Sequence, residues 1–176
     1  MKCSFTTPRL QVRNWRDDST EIEDLAIAVK AITTPTVMKG LPDDWQRLDN
    51  SAKVIQWILD REEESDCLGV YLAEQTHMIG IVLLSKADEN PAEEADKIEL
   101  RLGYLINESY WGQGYASEII KGLCNYCETS SPVASLIGGV DPANIGSIKV
   151  LTKNGFCNVS EHTDGIQFYQ KRLNNE

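Results

Sequence analysis

The segment Tyr110-Trp111-Gly112-Gln113-Gly114-Tyr115-Ala116-Ser117-Glu118 joins a β-patterned run, Ile98 to Ile106, to a helix-patterned one, Ser117 to Glu128. A strand-to-helix turn of small residues is where a chain can present bare backbone N–H groups to a diphosphate. The first N–H groups of a helix have no intrahelical partner and carry partial positive charge. Two familiar diphosphate loops fail on spacing. A Walker loop ends in Gly-Lys-Ser/Thr, and the nearest lysine, Lys121, is already a turn inside the helix. A dinucleotide fingerprint wants a third glycine where Ser117 stands, a start near the N-terminus and an acidic residue on the next strand, and none of these is present.

Other residues offer chemistry with less definition. Cys124-x-x-Cys127 has the spacing of a redox or zinc pair, but both cysteines fall inside the helix pattern and no second pair matches, so no metal is expected. His77 sits in a hairpin tip and His162 beside Glu161, positions where an isolated surface histidine is the commoner reading. Glu99 shares one face of its strand with Arg101 and Gly103, as a candidate base or as an exposed charge. Of the tryptophans, Trp45 and Trp57 are read as packed helices on the substrate side, with Trp45 the better candidate to line a cleft.

The elements that must position these residues follow from periodicity. Leu10 to Arg13 alternates as a strand, and Asp17-Asp18-Ser19-Thr20 supplies helix caps before Ile22, Leu25, Ile27 and Ile32, with Thr34-Pro35 as the break. A second helix starts near Ser51, with Val54, Ile55, Ile58 and Leu59 as its apolar stripe. Cys67 to Glu74 and Met78 to Ser85 read as a hairpin around Gln75-Thr76-His77, and Lys86 to Asp96 as a polar loop. Strand Ile98 to Ile106, helix and strand Ala134 to Val140 imply a right-handed parallel crossover. Gly103 marks a bulge, a close approach or a relieved twist. Phe156 to Glu161 and Ile166 to Arg172 form a closing hairpin around Asp164-Gly165. The class is mixed α/β (α+β), with an antiparallel N-terminal half and a central parallel pair.

Three segments in order carry a family resemblance. Trp111-Gly112-Gln113-Gly114-Tyr115-Ala116 resembles the acetyl-CoA loop of the GNAT N-acetyltransferase superfamily, Gln/Arg-x-x-Gly-x-Gly/Ala, with Gly114 and Ala116 at the small positions and Trp111 in place of the first Gln or Arg. Asp141 to Phe156 is similar to the next strand end and helix, capped by Asn144 and left through Lys-x-Gly-Phe. Thr7-Pro8-Arg9-Leu10-Gln11-Val12-Arg13-Asn14-Trp15 is similar to the first strand of the branch that acetylates ribosomal-protein N-termini. The resemblance implies a mixed sheet of about seven strands flanked by about four helices, with the parallel pair splayed at its C-terminal ends to admit pantetheine. It also implies that backbone N–H groups of Gly112, Gln113, Gly114, Tyr115, Ala116 and Ser117, beside Trp111, hold the pyrophosphate. Main-chain groups of Leu102, Gly103, Tyr104 and Leu105 would then meet pantetheine and the acyl carbonyl. Asn144 caps its helix and reaches the pantetheine arm, or only caps; Lys149 and Lys153 lie near phosphate or, the favoured reading, in solvent. For the acid, the family's usual Tyr is here Leu151, while Ser147 matches a Ser given that role in the ribosomal-protein branch. A Glu favoured there is here Val159, and Glu161 lies two residues further on the same face of a regular strand.

Composition bounds the rest. At 176 residues and 41% hydrophobic, one domain spanning the chain buries a good core, with no linker, repeat or membrane-length apolar run. Five cysteines without a secretory signal fit a reduced, cytoplasmic protein, monomeric or homodimeric. A net charge of −10, from 17 basic and 27 acidic residues, argues against nucleic acid and favours a cationic partner, or serves only solubility. The runs Arg61 to Asp66 and Glu93 to Asp96 are read as solvated loops or helix ends. An amine acceptor is implied, and weak acid–base machinery favours an α-amine, such as a basic protein or ribosomal-protein N-terminus. An α-amine has a pKa of about 8 and a lysine about 10.4, so deprotonating lysine at neutral pH costs roughly 3.5 kcal/mol more. The other classes are a small-molecule amine acetyltransferase and a non-catalytic acetyl-CoA-binding module.

Overall fold

The structure is a computed structural model that describes residues 3–87, 98–130, 132–160 and 165–173. Its strands are β1 (Phe5–Thr6), β2 (Leu10–Asn14), β3 (Asp66–Leu72), β4 (Met78–Lys86), β5 (Ile98–Ile106), β6 (Val133–Val140), β7 (Cys157–Asn158) and β8 (Gln167–Arg172). Its helices are α1 (Ile22–Ile32), α2 (Pro35–Met38), α3 (Ser51–Glu64), α4 (Tyr115–Ser130) and α5 (Ile145–Lys153). The strands form one sheet in the order β1-β2-β3-β4-β5-β6-β8-β7, with β5 and β6 parallel and the rest antiparallel. This is the mixed α/β architecture expected, with the two-residue strand β1 and the single-turn α2 added.

The chain divides into two compact units. One comprises residues up to Leu83 together with Tyr104–Tyr115, and the other Leu84–Gly103 with residues from Ala116 on. In the first, β2 buries Leu10 and Val12 and leaves Gln11 exposed, and pairs antiparallel with β3 from Leu10↔Leu72 to Asn14↔Leu68. Helix α1 buries Leu25, Ala26, Val29 and Ile32, so its stripe turns away from Ile27, which is 71% exposed. The stripe of α3 is Val54, Trp57, Ile58 and Arg61, with Leu59 partly exposed. Each fully buried aliphatic side chain there contributes about 1.5–3 kcal/mol of transfer free energy. Asn50 caps α3, its Oδ1 accepting from Lys53 N at 3.0 Å.

Two local expectations are corrected. Helix α1 has Glu21 at its N-cap with no side-chain cap. The Asp17 carboxylate instead closes its own turn, accepting from Ser19 N at 3.0 Å and from the hydroxyls of Ser19 and Thr20 at 2.7 and 2.9 Å. Side-chain turns of this kind compete with helix capping for the same Asp. Of the two readings of the run Arg61 to Asp66, the helix end holds, since α3 ends at Glu64, and the solvated loop does not: Glu62 accepts from Trp15 Nε1 at 2.9 Å and from Arg16 Nη2 at 2.6 Å, and Glu64 pairs with Arg61.

In the second unit, β6 is paired on both sides, parallel to β5 and antiparallel to β8 from Ser135↔Arg172 to Val140↔Gln167. Helix α4 buries Ile119, Ile120, Leu123, Cys124 and Cys127, one face at helical spacing. The closing hairpin is seen as β7 and β8, with Cys157↔Gln170 and Asn158↔Tyr169; Glu161, His162 and Asp164 lie outside the described residues. The β5–β6 register shifts at Ile98/Glu99.

Candidate active site

Backbone conformation makes the loop ahead of α4. Gly112 (φ 73°) and Gly114 (φ 82°) both lie in the left-handed region, where a residue with a Cβ is strained by about 1–2 kcal/mol. A Cβ on Gly112 would meet nothing within 4 Å, and one on Gly114 only Arg9 Nη2 at 3.6 Å. The glycines are therefore required by conformation, and they keep that space clear of side chains. Among the described residues, the N–H groups of Gly112, Gln113 and Gly114 donate to no protein acceptor.

The loop stands on fixed footings within the first unit. Asn107 Oδ1 accepts from Ser109 N at 2.9 Å, capping a single 3-10 turn (Glu108–Tyr110), and Asn107 Nδ2 donates to Ala31 O at 2.9 Å. The half-exposed Trp111 donates Nε1–H to Ile106 O at 2.7 Å, closing the end of β5. Gln113 Nε2 donates to Ser109 O at 3.2 Å. Arg9 Nη1 donates to Gln113 O at 3.0 Å, and its guanidinium carbon lies 4.2 Å from the centre of the Tyr115 ring. Tyr115 packs edge-on to Tyr110 at 6.1 Å, and Tyr110 lies 6.4 Å from His77.

The second unit holds Glu99, Ser117, Asn144 and Ser147. Ser117 Oγ accepts from Asn154 Nδ2 at 3.1 Å, and the same nitrogen donates to Val150 O at 2.8 Å, so Asn154 ties the start of α4 to the end of α5. The end of α5 is a Schellman turn: Phe156 N donates to Leu151 O and Gly155 N to Thr152 O, both at 3.1 Å, with Gly155 at φ 85°. Leu151 and Phe156 are buried together, which is the physical content of the Lys-x-Gly-Phe pattern. At the other end, Asn144 Oδ1 accepts from Ser147 N at 3.0 Å, capping α5. Asn144 Nδ2 and the half-buried Ser147 Oγ have no hydrogen-bond partner among the described residues. Lys149 and Lys153 are exposed.

Glu99 is half-buried, and its Oε2 accepts from Ser135 Oγ at 2.6 Å and from Gln170 Nε2, spanning β5, β6 and β8. It shares no hydrogen bond with Ser147. Glu161 lies outside the described residues, and Val159 is exposed. Within the second unit the β5–β6 ladder runs from Ile98↔Val133 to Arg101↔Ile137. Leu102 O still lies 3.4 Å from the Cβ position of Gly138. In the first unit, a Cβ on Gly80 of β4 would meet Leu105 O at 2.8 Å. Glycine at position 80 thus lets the end of β5 close onto β4.

Cys3, Cys67, Cys124 and Cys127 are buried and only Cys157 is exposed. Burial pushes the Cys3 and Cys67 thiols up to about 12, and raises Cys124 as well. No group of three or more metal-ligating side chains is present among the described residues. No helix among them is long and apolar enough to cross a membrane. A separate cleft of about 360 Å³ in the first unit is lined by residues including Arg13, Trp15, Asp17, Asp24, Tyr71 and His77. Trp15, not Trp45, is the tryptophan that lines it; Trp45 packs against Trp57 and under Arg61. Sequence reading missed Arg9 and Asn154 as site residues. Both sit inside the motif segments, but Arg9 meets Gln113 across 104 positions, a pairing that no local pattern announces.

Comparison with known proteins agrees with this arrangement. Residues 9–157 match the family model described as an acetyltransferase (GNAT) domain. The chain is 27% identical over 135 residues to the probable N-acetyltransferase YjcK of Bacillus subtilis, covering 75% of this chain and 68% of that protein. The fold is that of a GNAT-family acetyltransferase from Bacillus anthracis (TM-score 0.74, 18% identity, 97% and 98% of the two chains). It is also that of RimL, a ribosomal L7/L12 α-N-protein acetyltransferase in complex with coenzyme A (TM-score 0.70, 16% identity, 97% of each chain). The family match over most of the chain makes this protein a member of the GNAT acetyltransferase family and an N-acetyltransferase.

Proposed function

We propose that the protein transfers the acetyl group of acetyl-CoA to a free α-amine at a protein or peptide N-terminus, by direct attack and without an acyl-enzyme. The observation that carries the coenzyme half is the loop itself: two left-handed glycines and unpartnered N–H groups leading into the N-terminus of a long helix. That combination suits a diphosphate. In this reading Gly112 to Ser117 hold the pyrophosphate, with Trp111 at the loop's entry. Main-chain groups of Leu102 to Leu105 take pantetheine and the acyl carbonyl, and Asn144 adds its free amide N–H.

The acceptor half rests on what the side chains do. Leu151 is core, Val159 carries no charge, and the Glu99 carboxylate is engaged by two donors, which supports a positioning role for Glu99. An amine with a pKa of about 8 is substantially neutral near pH 7.5 and attacks with little help, whereas lysine is not. The amine nitrogen bonds to the acyl carbon, the C–S bond breaks, the thiolate takes a proton, for which Ser147 Oγ is the assigned donor, and the proton shed by the amine nitrogen passes to solvent, from which Ser147 is reprotonated. A thiol of pKa about 8.5, like cysteine, needs only modest assistance, so orientation supplies most of the acceleration. The buried thiols also argue against a cysteine nucleophile.

The test is turnover of acetyl-CoA over a panel of peptides with free α-amines, blocked peptides, polyamines, amino sugars and amino acids. Preference for free-α-amine peptides is expected. Ser147→Ala is expected to lower kcat by up to about 100-fold with KM for acetyl-CoA little changed. A small amine as best acceptor, or no turnover with tight acetyl-CoA binding, would contradict the peptide reading.

A further inference from the structure

We infer that Arg9 is a positioning residue for the coenzyme loop, setting acetyl-CoA affinity by clamping the Gln113–Gly114 peptide so that the Gly114 N–H faces away from the guanidinium. The inference rests on the proposed acetyl-CoA reading. One guanidinium serves three consecutive residues: Nη1 donates to Gln113 O at 3.0 Å, Nη2 lies 3.6 Å from where a Cβ on Gly114 would stand, and the guanidinium carbon sits over the Tyr115 ring, 4.2 Å from its centre. A trans peptide points its C=O and N–H in opposite directions, and no cis peptide is present. Fixing the Gln113 carbonyl therefore fixes the direction of the Gly114 donor.

The clamp is needed because, among the described residues, no other hydrogen bond holds the Gln113–Gly114 peptide. With glycine at 112 and 114, both left-handed, rotation of the intervening peptides meets little steric resistance. Arg9 itself is held at its base. Its carbonyl accepts from Ala73 N at 2.9 Å, the next residue, Leu10, is fully buried, and Leu10 N donates to Thr7 Oγ1 at 3.1 Å. A side chain anchored this way pre-organises the donors, so that less ordering is left to be done on binding. Lysine cannot reproduce this, because its point charge lacks a planar fork that covers a ring and donates in-plane at once.

Calorimetry with coenzyme A and steady-state kinetics on wild type, Arg9→Ala and Arg9→Lys test the assignment. Arg9→Ala is expected to weaken coenzyme A binding by about tenfold and to raise KM for acetyl-CoA equally, the size of one charge-assisted hydrogen bond, with kcat at saturation and the acceptor KM within about threefold. Arg9→Lys should recover only part of that affinity, and the Arg9→Ala loss should persist at high salt. Full recovery by lysine, or a loss that vanishes with salt, would make Arg9 a charge and overturn the clamp. Unchanged coenzyme affinity in Arg9→Ala would overturn it too, as would a fall in kcat alone. If wild type itself binds no coenzyme A, the acetyl-CoA reading fails first, and the clamp with it. If Arg9→Ala does not fold, Arg9→Lys carries the test, wild-type affinity in it contradicting the clamp.

Discussion

Gly114 carries the largest consequence per atom. A Glu side chain there would be strained at φ 82° and would place a carboxylate among donors suited to a diphosphate. Gly114→Glu is expected to weaken acetyl-CoA binding by on the order of 100-fold or more, read by calorimetry, with the fold intact by circular dichroism. The cysteines make a complementary prediction. Alkylation of the native protein should proceed fast at one thiol, Cys157, and slowly at the four buried ones. The same burial shapes alkaline stability. Cys3 and Cys67, with folded-state values near 12 against an ordinary 9.0, keep their protons in the native state after the unfolded chain has lost them. Stability from these thiols is therefore complete below about pH 9 and is lost as pH rises toward 12, and Tm should fall across that window. A double Cys3→Ala, Cys67→Ala variant should fall less steeply. Residue types announced the glycines of the loop and the Asn144 cap; they did not announce Arg9, whose partner is 104 positions away.

At the level of elements, the parallel pair is where sequence and structure teach most. Its two strands were legible from their apolar runs, and the ladder from Ile98↔Val133 to Arg101↔Ile137 shows them parallel. The register shift at Ile98/Glu99 and the close approaches at Gly138 and Gly80 were not among the positions the sequence singled out. A glycine in one strand reports on backbone from another, so the contact it serves is not readable along its own chain. Glu99 is a further case. Alternation places it on a face, while only β8, arriving from the far end of the sequence, supplies Gln170 to hold it. Glu99→Ala strands the buried Ser135 hydroxyl and should cost about 1–3 kcal/mol, lowering Tm by several degrees with kcat within about threefold. A loss of 100-fold or more in kcat at unchanged stability would make Glu99 the base instead. Helix ends show the same division. Asn50 and Asn144 cap as their types suggest, whereas Asp17 spends its carboxylate on a turn.

Over the whole molecule, the family and the mixed sheet were legible because the three motif segments keep their order through the chain. The acceptor is not written that way, since it depends on side chains gathered from separate elements and on the field of the whole surface. A net charge of −10 gives that field its sign. Glu62 and Glu64 are engaged by Trp15, Arg16 and Arg61, so the run they belong to is a poor place to probe steering by charge reversal. Ionic strength is the cleaner probe: raising it to physiological levels, where fields fall off within about 8 Å, should lower kcat/KM for a basic peptide more than for a neutral amine. The central claim is tested most directly by incubating the protein and acetyl-CoA at pH 7.5 with one peptide that carries both a free α-amine and an internal lysine, and locating the acetyl group by tandem mass spectrometry. The account predicts acetylation of the α-amine with the lysine left free. Acetyl on the lysine side chain, or none on the peptide while a small amine is acetylated, would contradict it.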